Sequence, residues 1–449
     1  MSIHSSLKTE GNLTTKRTVM TRTERVAALK DEKKHTNKDG ALGLPKTKVD
    51  MIEQLIADRA GAIDASGIRR IFNLASTLKD PINLSIGQPD FPVPELIRSA
   101  AIDAVANHQN GYTLTQGDPK LLARVIDWLK LDLGWDCAVT GQGAAGQPTA
   151  FVTSGTSGAL TLAFMALLNP GDECIIPDPY FVCYPHLATL CGAKAVPCDT
   201  YPDFRLTAER VEPLINERTK FVLLNTPSNP SGVVISKEEG AKLRALCKSK
   251  GVLLISDEIY DEFVFSESLG DVAKGDASMK RCPSPAREDG AHEDTLLIRG
   301  FGKTYGCTGW RLGYVAGPSA IVDQMSKLQQ YTYVCAPAPL QAGVVASFDT
   351  DMSAHVAEYE SRRDMVIERL SKHTKVATPG GAFYAFIEVP ESLGLSGTQF
   401  AEKCIERELL VIPGGAFSER DTHFRISFAT ARDRLEKGLD ILESLLSGS

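Results

Sequence analysis

Ile298-Arg299-Gly300-Phe301-Gly302-Lys303-Thr304-Tyr305-Gly306-Cys307-Thr308-Gly309-Trp310-Arg311-Leu312-Gly313-Tyr314 decides how the rest of the chain is read. A lysine closes an apolar, strand-like run inside a glycine-rich turn, and an arginine follows in the same loop. A primary amine in a tight loop can form a Schiff base. A fixed guanidinium nearby can grip a phosphate dianion through two parallel hydrogen bonds. Pyridoxal 5′-phosphate needs both groups close together, and this pair points to it. A surface Lys and Arg flanking a strand is the plainer alternative on this segment alone.

Upstream, further groups that this cofactor requires occur in order. Gly251 to Ile255 reads as a buried strand, and Ser256-Asp257-Glu258-Ile259-Tyr260 follows it. A partly buried carboxylate keeps a pyridine nitrogen protonated, which is what makes the ring an electron sink. Asp257 is the candidate, although an Asp at a strand end is as often a helix N-cap. Tyr260 can donate to the cofactor's phenolic oxygen. Lys220 to Asn225 is a second strand-like run, and Thr226-Pro227-Ser228-Asn229-Pro230-Ser231-Gly232 is a rigid turn after it. The prolines hold Asn229 at little entropic cost, either for the same oxygen or as an ordinary Asn-Pro turn. Ala150 to Leu160 reads as strand, glycine turn and helix. Helix N-terminal amides with the hydroxyls of Thr156 and Ser157 make an anion seat, or simply a capped helix. Phe181, after the run Cys174 to Pro177, is placed either to stack on the ring or to fill the core.

From about Leu84 to near the C-terminus the chain resembles the class I/II aminotransferases, pyridoxal phosphate enzymes of fold type I. Seven pieces carry the resemblance, in the family's order: Gly87 to Phe91, Gly111 to Thr113, Gly155 to Ser157, Asn225 to Gly232, Asp257 to Tyr260, Lys303 to Arg311, and Phe424 to Phe428. The resemblance implies that Lys303 carries the Schiff base and moves the proton. It implies that Asp257 pairs with the ring nitrogen, and Asn229 and Tyr260 with the phenolic oxygen. Gly155, Thr156, Ser157 and Arg311 are implied to hold the phosphate, with Tyr112 reaching it from a partner subunit. Arg425 is implied to grip the substrate α-carboxylate, beside Gly87 and Asn229. The expected activity is ping-pong transfer of an amino group between an L-amino acid and a 2-oxo acid. The alternative is a C–S β-lyase on the same fold, which shares these residues. Gly300 and Gly302 depart from the serines of many relatives, and Ser157 stands where one aspartate-specific branch has a lysine.

The expected fold is α/β: a mostly parallel seven-stranded sheet with helices on both faces, plus a smaller α+β domain. Strand-like runs near 150, 174, 194, 221, 252, 296 and 313 alternate with helical segments, and the candidate residues fall at their ends. Expected boundaries are 1–45 as a disordered extension, 46–93 joining the small domain, 94–336 as the cofactor-binding domain, and 337–449 as the small domain. Met51 to Lys79 and Leu340 to Leu370 read as helices, and Ile82 to Ile86 as a strand. Small-domain strands are expected near 375, 384, 410 and 425. Ser266 to Asp294 is polar and reads as a surface excursion. Tyr331, Tyr333, Cys335, Phe383 and Tyr384 can line a substrate pocket or pack in the core.

Composition bounds the function. The chain has 449 residues, 43% hydrophobic and 23% charged, enough for two or three domains. A net charge of -7 gives no global pull toward nucleic acid or anionic membrane. No run reaches the ~18 apolar residues of a membrane span. The 10 cysteines include no Cys-x-x-Cys, and the 8 histidines show no ligand spacing. A cytoplasmic protein with reduced thiols and no metal is expected, and the family resemblance alone implies a homodimer.

Overall fold

The computed structural model describes residues 55–63 and 78–448. The chain divides into two compact units, residues 1–64 and 65–449. In the first, one helical turn, Asp58–Gly61, lies among the described residues. The expected disordered stretch 1–45 falls outside them, as does most of the helix expected over Met51 to Lys79.

The second unit is organised by an eight-stranded sheet. In chain order, β1 is Ile82–Asn83, β2 Ala138–Val139, β3 Thr149–Thr153, β4 Glu173–Asp178, β5 Lys194–Asp199, β6 Thr219–Asn225 and β7 Leu253–Asp257. Then come β8 Asp271–Val272, β9 Lys280–Arg281, β10 Thr295–Gly300, β11 Gly313–Gly317, β12 Tyr384–Glu388, β13 Leu409–Leu410, β14 Ile412–Pro413 and β15 His423–Ser427. The large sheet runs β2-β3-β11-β10-β7-β6-β4-β5. β11 is antiparallel to both its neighbours, and the other pairings are parallel. All seven expected strands are present, and two-residue β2 adds an eighth at the edge.

Strand alternation sends successive side chains to opposite faces. Ala150 and Val152 of β3, with Leu297 of β10, pack with Leu121, Val125 and Leu129 of helix α2 (Pro119–Leu133; α1 is Glu95–Ala106). Phe151, Leu296 and Ile298 face the other way, onto Leu160 and Phe164 of α3 (Gly155–Leu167). Two buried faces explain why these strands read as unbroken apolar runs. Helix α2 begins and ends where its sequence says. Asp118 accepts from the amides of Lys120 and Leu121, Pro119 opens the first turn, and Gly134 closes the helix at φ 74°.

A second layer forms around antiparallel β12-β15-β14 and the parallel pair β1-β13. Here the sequence expectations need correction. β1 stops at Asn83 because Ser85 turns onto the Asn83 side chain. The helix expected over Leu340 to Leu370 is broken. Ala338–Val344 is followed by a 3₁₀ turn, Val345–Asp349, and a new helix starts at Ser353, whose amide bonds Asp351 Oδ1. Near 375 there is one bridge, Val376 to Ile387, rather than a strand. Residues 266–294 are a surface excursion only in part: 266–280 are mostly exposed, but 281–287 are buried, and Arg281, Ser284 and Arg287 meet buried carboxylates there.

The turn after β6 is clamped to the second layer. Gly232 has φ +72°, its carbonyl accepts from the amides of Gly380 and Gly381, and a Cβ there would meet Pro379 Cβ at 2.5 Å and Tyr384 O at 2.6 Å. Gly171 has φ +89° but faces open space. Gly171→Ala should cost about 1 kcal/mol from its backbone conformation alone. Gly232→Ala should cost at least about twice that. Equal shifts of the thermal midpoint would contradict the clamp.

Candidate active site

The C-terminal ends of β6, β7 and β10 open on one cavity of about 220 Å³, joined by the start of α3. Open α/β sheets bind ligands at such strand ends. Eleven of the twelve residues singled out in the sequence line it: Gly87, Gly155, Thr156, Ser157, Phe181, Asn229, Asp257, Tyr260, Lys303, Arg311 and Arg425. The twelfth, Tyr112, is 87% exposed and lies outside the lining.

Asp257 ends β7 and is buried. Its carboxylate accepts from Tyr184 Oη at 2.7 Å and, at 3.4 Å, from the Ile259 amide. Among the described residues no Lys or Arg pairs with it. Burial raises its pKa to about 6, against the opposing pull of the Tyr184 hydrogen bond. Tyr184, on helix α4 (Cys183–Leu190), is a site residue that sequence reasoning missed. It sits three residues after Phe181, but a hydroxyl on a short helix does not announce which way it points.

Lys303 lies in the turn after β10, and its Nζ donates to Gly87 O at 2.5 Å. A Cβ on Gly87 would come within 2.4 Å of Tyr384 Oη, so a larger residue there would collide with the tyrosine. Tyr260 Oη is 3.0 Å from Tyr384 Oη, and both hydroxyls are buried. Tyr384 lines the cavity, but the other aromatic-pocket candidates do not. Phe383 is core, and Tyr331 is 81% exposed.

Arg425 comes from β15, across the cavity. It is buried; its Nη1 donates to Asn229 Oδ1 at 2.9 Å and its Nη2 to Ser85 O at 2.8 Å. Nε is buried with no partner among the described residues, and no carboxylate there meets this guanidinium. Burial pulls the Arg425 pKa below its usual value, against the pull of Tyr384 and Tyr260. The guanidinium carbon stands 4.5 Å from the Tyr384 ring and 4.7 Å from that of Phe417.

At the opposite end, α3 starts at Gly155 with no side-chain cap. Arg311 reaches over this end, donating to Ser157 Oγ at 3.3 Å and to Thr308 O at 3.0 Å. Close packing explains Gly300: a Cβ there would meet Ile259 Cδ1 at 2.8 Å and Thr156 Cγ2 at 2.9 Å. The Thr156 methyl group occupies the space that a side chain at 300 would need.

These residues fit pyridoxal phosphate. The uncapped helix start with Arg311 suits a dianion. Asp257, buried with no cation beside it, suits a ring N–H⁺. Arg425, a cation with an orphaned donor, suits a carboxylate. Lys303 lies between them. Among the described residues no cluster of three His, Cys, Asp or Glu is placed to hold a metal.

The raised pKa of Asp257 sets a pH test on the cofactor-free protein. Between about 4 and about 6 the folded chain binds the proton more tightly than the unfolded chain, so stability falls as pH rises through that window. Asp257→Asn removes this loss. The variant should exceed the unmodified protein by up to about 3 kcal/mol at pH 7. The gap should close below pH ~4. Denaturant titrations at both pH values check it, and a gap that does not depend on pH would contradict burial as the cause.

The family model described as aminotransferase class I and II matches residues 79–442. The chain is 34% identical to a probable aspartate aminotransferase of Methanocaldococcus jannaschii, over 87% of this chain and 100% of that protein. It is 34% identical to a probable N-acetyl-LL-diaminopimelate aminotransferase of Bacillus subtilis, over 87% of this chain and 96% of the relative. The solved aspartate aminotransferase of Thermotoga maritima superposes with a TM-score of 0.79 at 31% identity, covering 87% of this chain and 100% of that one.

Proposed function

Because the chain belongs to the class I and II aminotransferases, we propose a role in amino-group transfer for each residue gathered around the cavity. The protein is a pyridoxal phosphate-dependent aminotransferase acting on amino and 2-oxo acids. The observation that carries the residue roles is the charge pattern. A lone buried carboxylate, a buried arginine with an orphaned donor and an uncapped helix start surround one lysine.

Bound there, the cofactor supplies an electron sink for the pair left when a substrate α-proton departs. Lys303 would hold the cofactor's carbonyl carbon at rest, and once the substrate amine displaces it the freed Nζ would carry the α-proton, since this amine points into the cavity. Asp257 holds the ring nitrogen's proton, and Tyr184 orients its carboxylate. Asn229 and Tyr260 face the phenolic oxygen, and Phe181 covers the ring. Gly155, Thr156, Ser157 and Arg311 seat the phosphate. Arg425 takes the substrate α-carboxylate, with Asn229 and Ser85 O fixing its plane and Gly87 leaving room beside it.

Donor and acceptor would use the same Arg425 seat in turn, which suits two half-reactions in ping-pong order. The amino-group transfer named in the relatives favours this reading over a C–S lyase. The relatives differ in substrate, so likeness alone does not choose one. Tyr112, exposed on its own chain, fits a residue that reaches a second subunit's phosphate seat, and we take the protein to be a homodimer. We assign it to the cytoplasm, where its 10 unpaired cysteines suit reducing conditions. No helix among the described residues is long and apolar enough to cross a membrane. We divide the chain as 1–45, 46–93, 94–336 and 337–449; the pairing of Ile82 and Asn83 with Leu409 and Leu410 supports joining the end of the second segment to the C-terminal layer.

Lys303→Ala should lose the visible band of the bound cofactor and at least ~10⁴-fold in transamination. Tyr260→Phe should lose on the order of 10- to 100-fold, because one hydrogen bond goes. Arg425→Lys should mainly raise the donor KM. Turnover retained by Lys303→Ala, measured by keto-acid production from a panel of amino acids, would overturn the assignment.

A further inference from the structure

Behind the cavity lies a buried ion cluster that amino-group transfer does not use. Asp132 of α2 is fully buried and receives three arginines. Arg299 Nη1 lies 2.7 Å from its Oδ2, and Arg287 Nη2 at 2.8 Å and Arg281 Nε at 3.0 Å from its Oδ1. Burial works against the ionised form of Asp132, yet these guanidinium groups hold it well below the usual carboxylate range. Arg299 also donates to Glu258 Oε2, from Nη2 at 2.9 Å and Nε at 3.1 Å, and its Nε lies 3.1 Å from Asp261 Oδ2. Glu258 Oε1 accepts from Ser256 Oγ at 2.7 Å and Ser284 Oγ at 2.5 Å.

The position of this pair distinguishes it from an ordinary core ion pair. Glu258 follows Asp257 directly, and Arg299 stands in β10, one strand over and just before the Lys303 turn. Ile298 is in register with Asp257, and the Glu258 amide bonds Ile298 O at 2.9 Å. The pair therefore bolts together the two strand ends that bear Asp257 and Lys303. Fold stability alone is a poor reason for it, since apolar replacements of buried ion pairs are often neutral or stabilising. Glu258 is also a second anion beside Asp257, and Arg299 cancels it.

Resting on the aminotransferase reading, we propose that Arg299 and Glu258, with Asp132 holding Arg299 from behind, are positioning residues: they fix the Asp257 and Lys303 strand ends and leave Asp257, among the described residues, the one uncompensated anion at the ring site. The groups that face the ring site are Asp257 and Tyr260 after β7, Cys183 and Tyr184 from α4, Lys303 and Arg311 from the β10–β11 loop, and Tyr384 and Arg425 from the second layer. All of these stay unchanged in the variants that test the idea.

The test uses holoenzyme and reads the pH midpoint at which the bound cofactor's visible band changes, with no turnover involved. Arg299→Met uncovers the Glu258 charge and should raise the midpoint. Glu258→Gln removes the one of the three carboxylates on Arg299 that adjoins Asp257, and should lower it. A unit charge on the order of 10 Å away, at an effective dielectric of about 20, changes proton affinity roughly tenfold. The double variant should return close to the unmodified value, with kcat nearer to normal than in Arg299→Met. A role confined to stability gives shifts of one sign or none, or leaves the double variant displaced from the unmodified value; either result overturns the proposal. If Arg299→Met does not fold, Glu258→Gln decides alone, because it is isosteric: a lowered midpoint supports the proposal and an unmoved or raised one overturns it. Failure of the unmodified protein to form a visible band with pyridoxal phosphate would sink the functional reading and this proposal together. A normal band with unmoved variants overturns this proposal only.

Discussion

Burying a carboxylate with no cation of its own is the constraint around which this structure is arranged. Asp257 ends a strand in the middle of the large sheet, flanked by β6 and β10. Its side chain has a tyrosine hydroxyl and a distant amide, and its raised pKa reflects what that burial costs. Neighbouring buried carboxylates are treated differently: Asp132, Glu258 and Asp261 all meet Arg299. The mirror case lies across the cavity, where Arg425 is buried without a carboxylate. One unmatched anion and one unmatched cation are complementary to a ligand that carries the opposite charges at matching places. A protonated cofactor ring and a substrate carboxylate would supply those two charges.

Much of this was legible in the sequence, because the signals are local. A strand buried on both faces is mostly apolar, so β3, β4, β6, β7 and β10 each show a short apolar run. Ligand groups of such sheets sit at the strand ends, so Asp257 and Lys303 could be located by counting forward from each run. Arg425 sits within a strand, and only the resemblance to a family pointed to it.

What was not legible depends on contacts between distant segments. Residues 266–294 are polar and looked solvated, but Arg281 and Arg287 are buried because Asp132, well over a hundred residues earlier, meets them. Composition carries no record of such a pairing. Tyr184 was overlooked for a related reason, since its role follows from the direction of a two-turn helix. The break between 345 and 352 interrupts no apolar pattern, and it follows from a 3₁₀ turn and the side-chain bond of Asp351. Gly300 stood out only as a departure from the serine of many relatives, and the structure supplies a steric reason in the Thr156 methyl group and Ile259.

The reversed strand has a mechanical consequence. β10 and β11 pair from Leu297–Ala316 to Gly300–Gly313, so the twelve residues 301–312 form a loop closed at its stem. Gly313 is also in register with Thr153, and its Cα is so close to the start of α3 that a Cβ would come within 3.0 Å of Thr156 N. The amine of Lys303, the guanidinium of Arg311 and the first amides of α3 therefore share one frame, like tools clamped in a single jig. The entropy of bringing them together was spent when the sheet formed, not when a ligand arrives. Their spacing inherits the tolerance of a hydrogen-bonded sheet, and disturbing any one anchor should misalign all three.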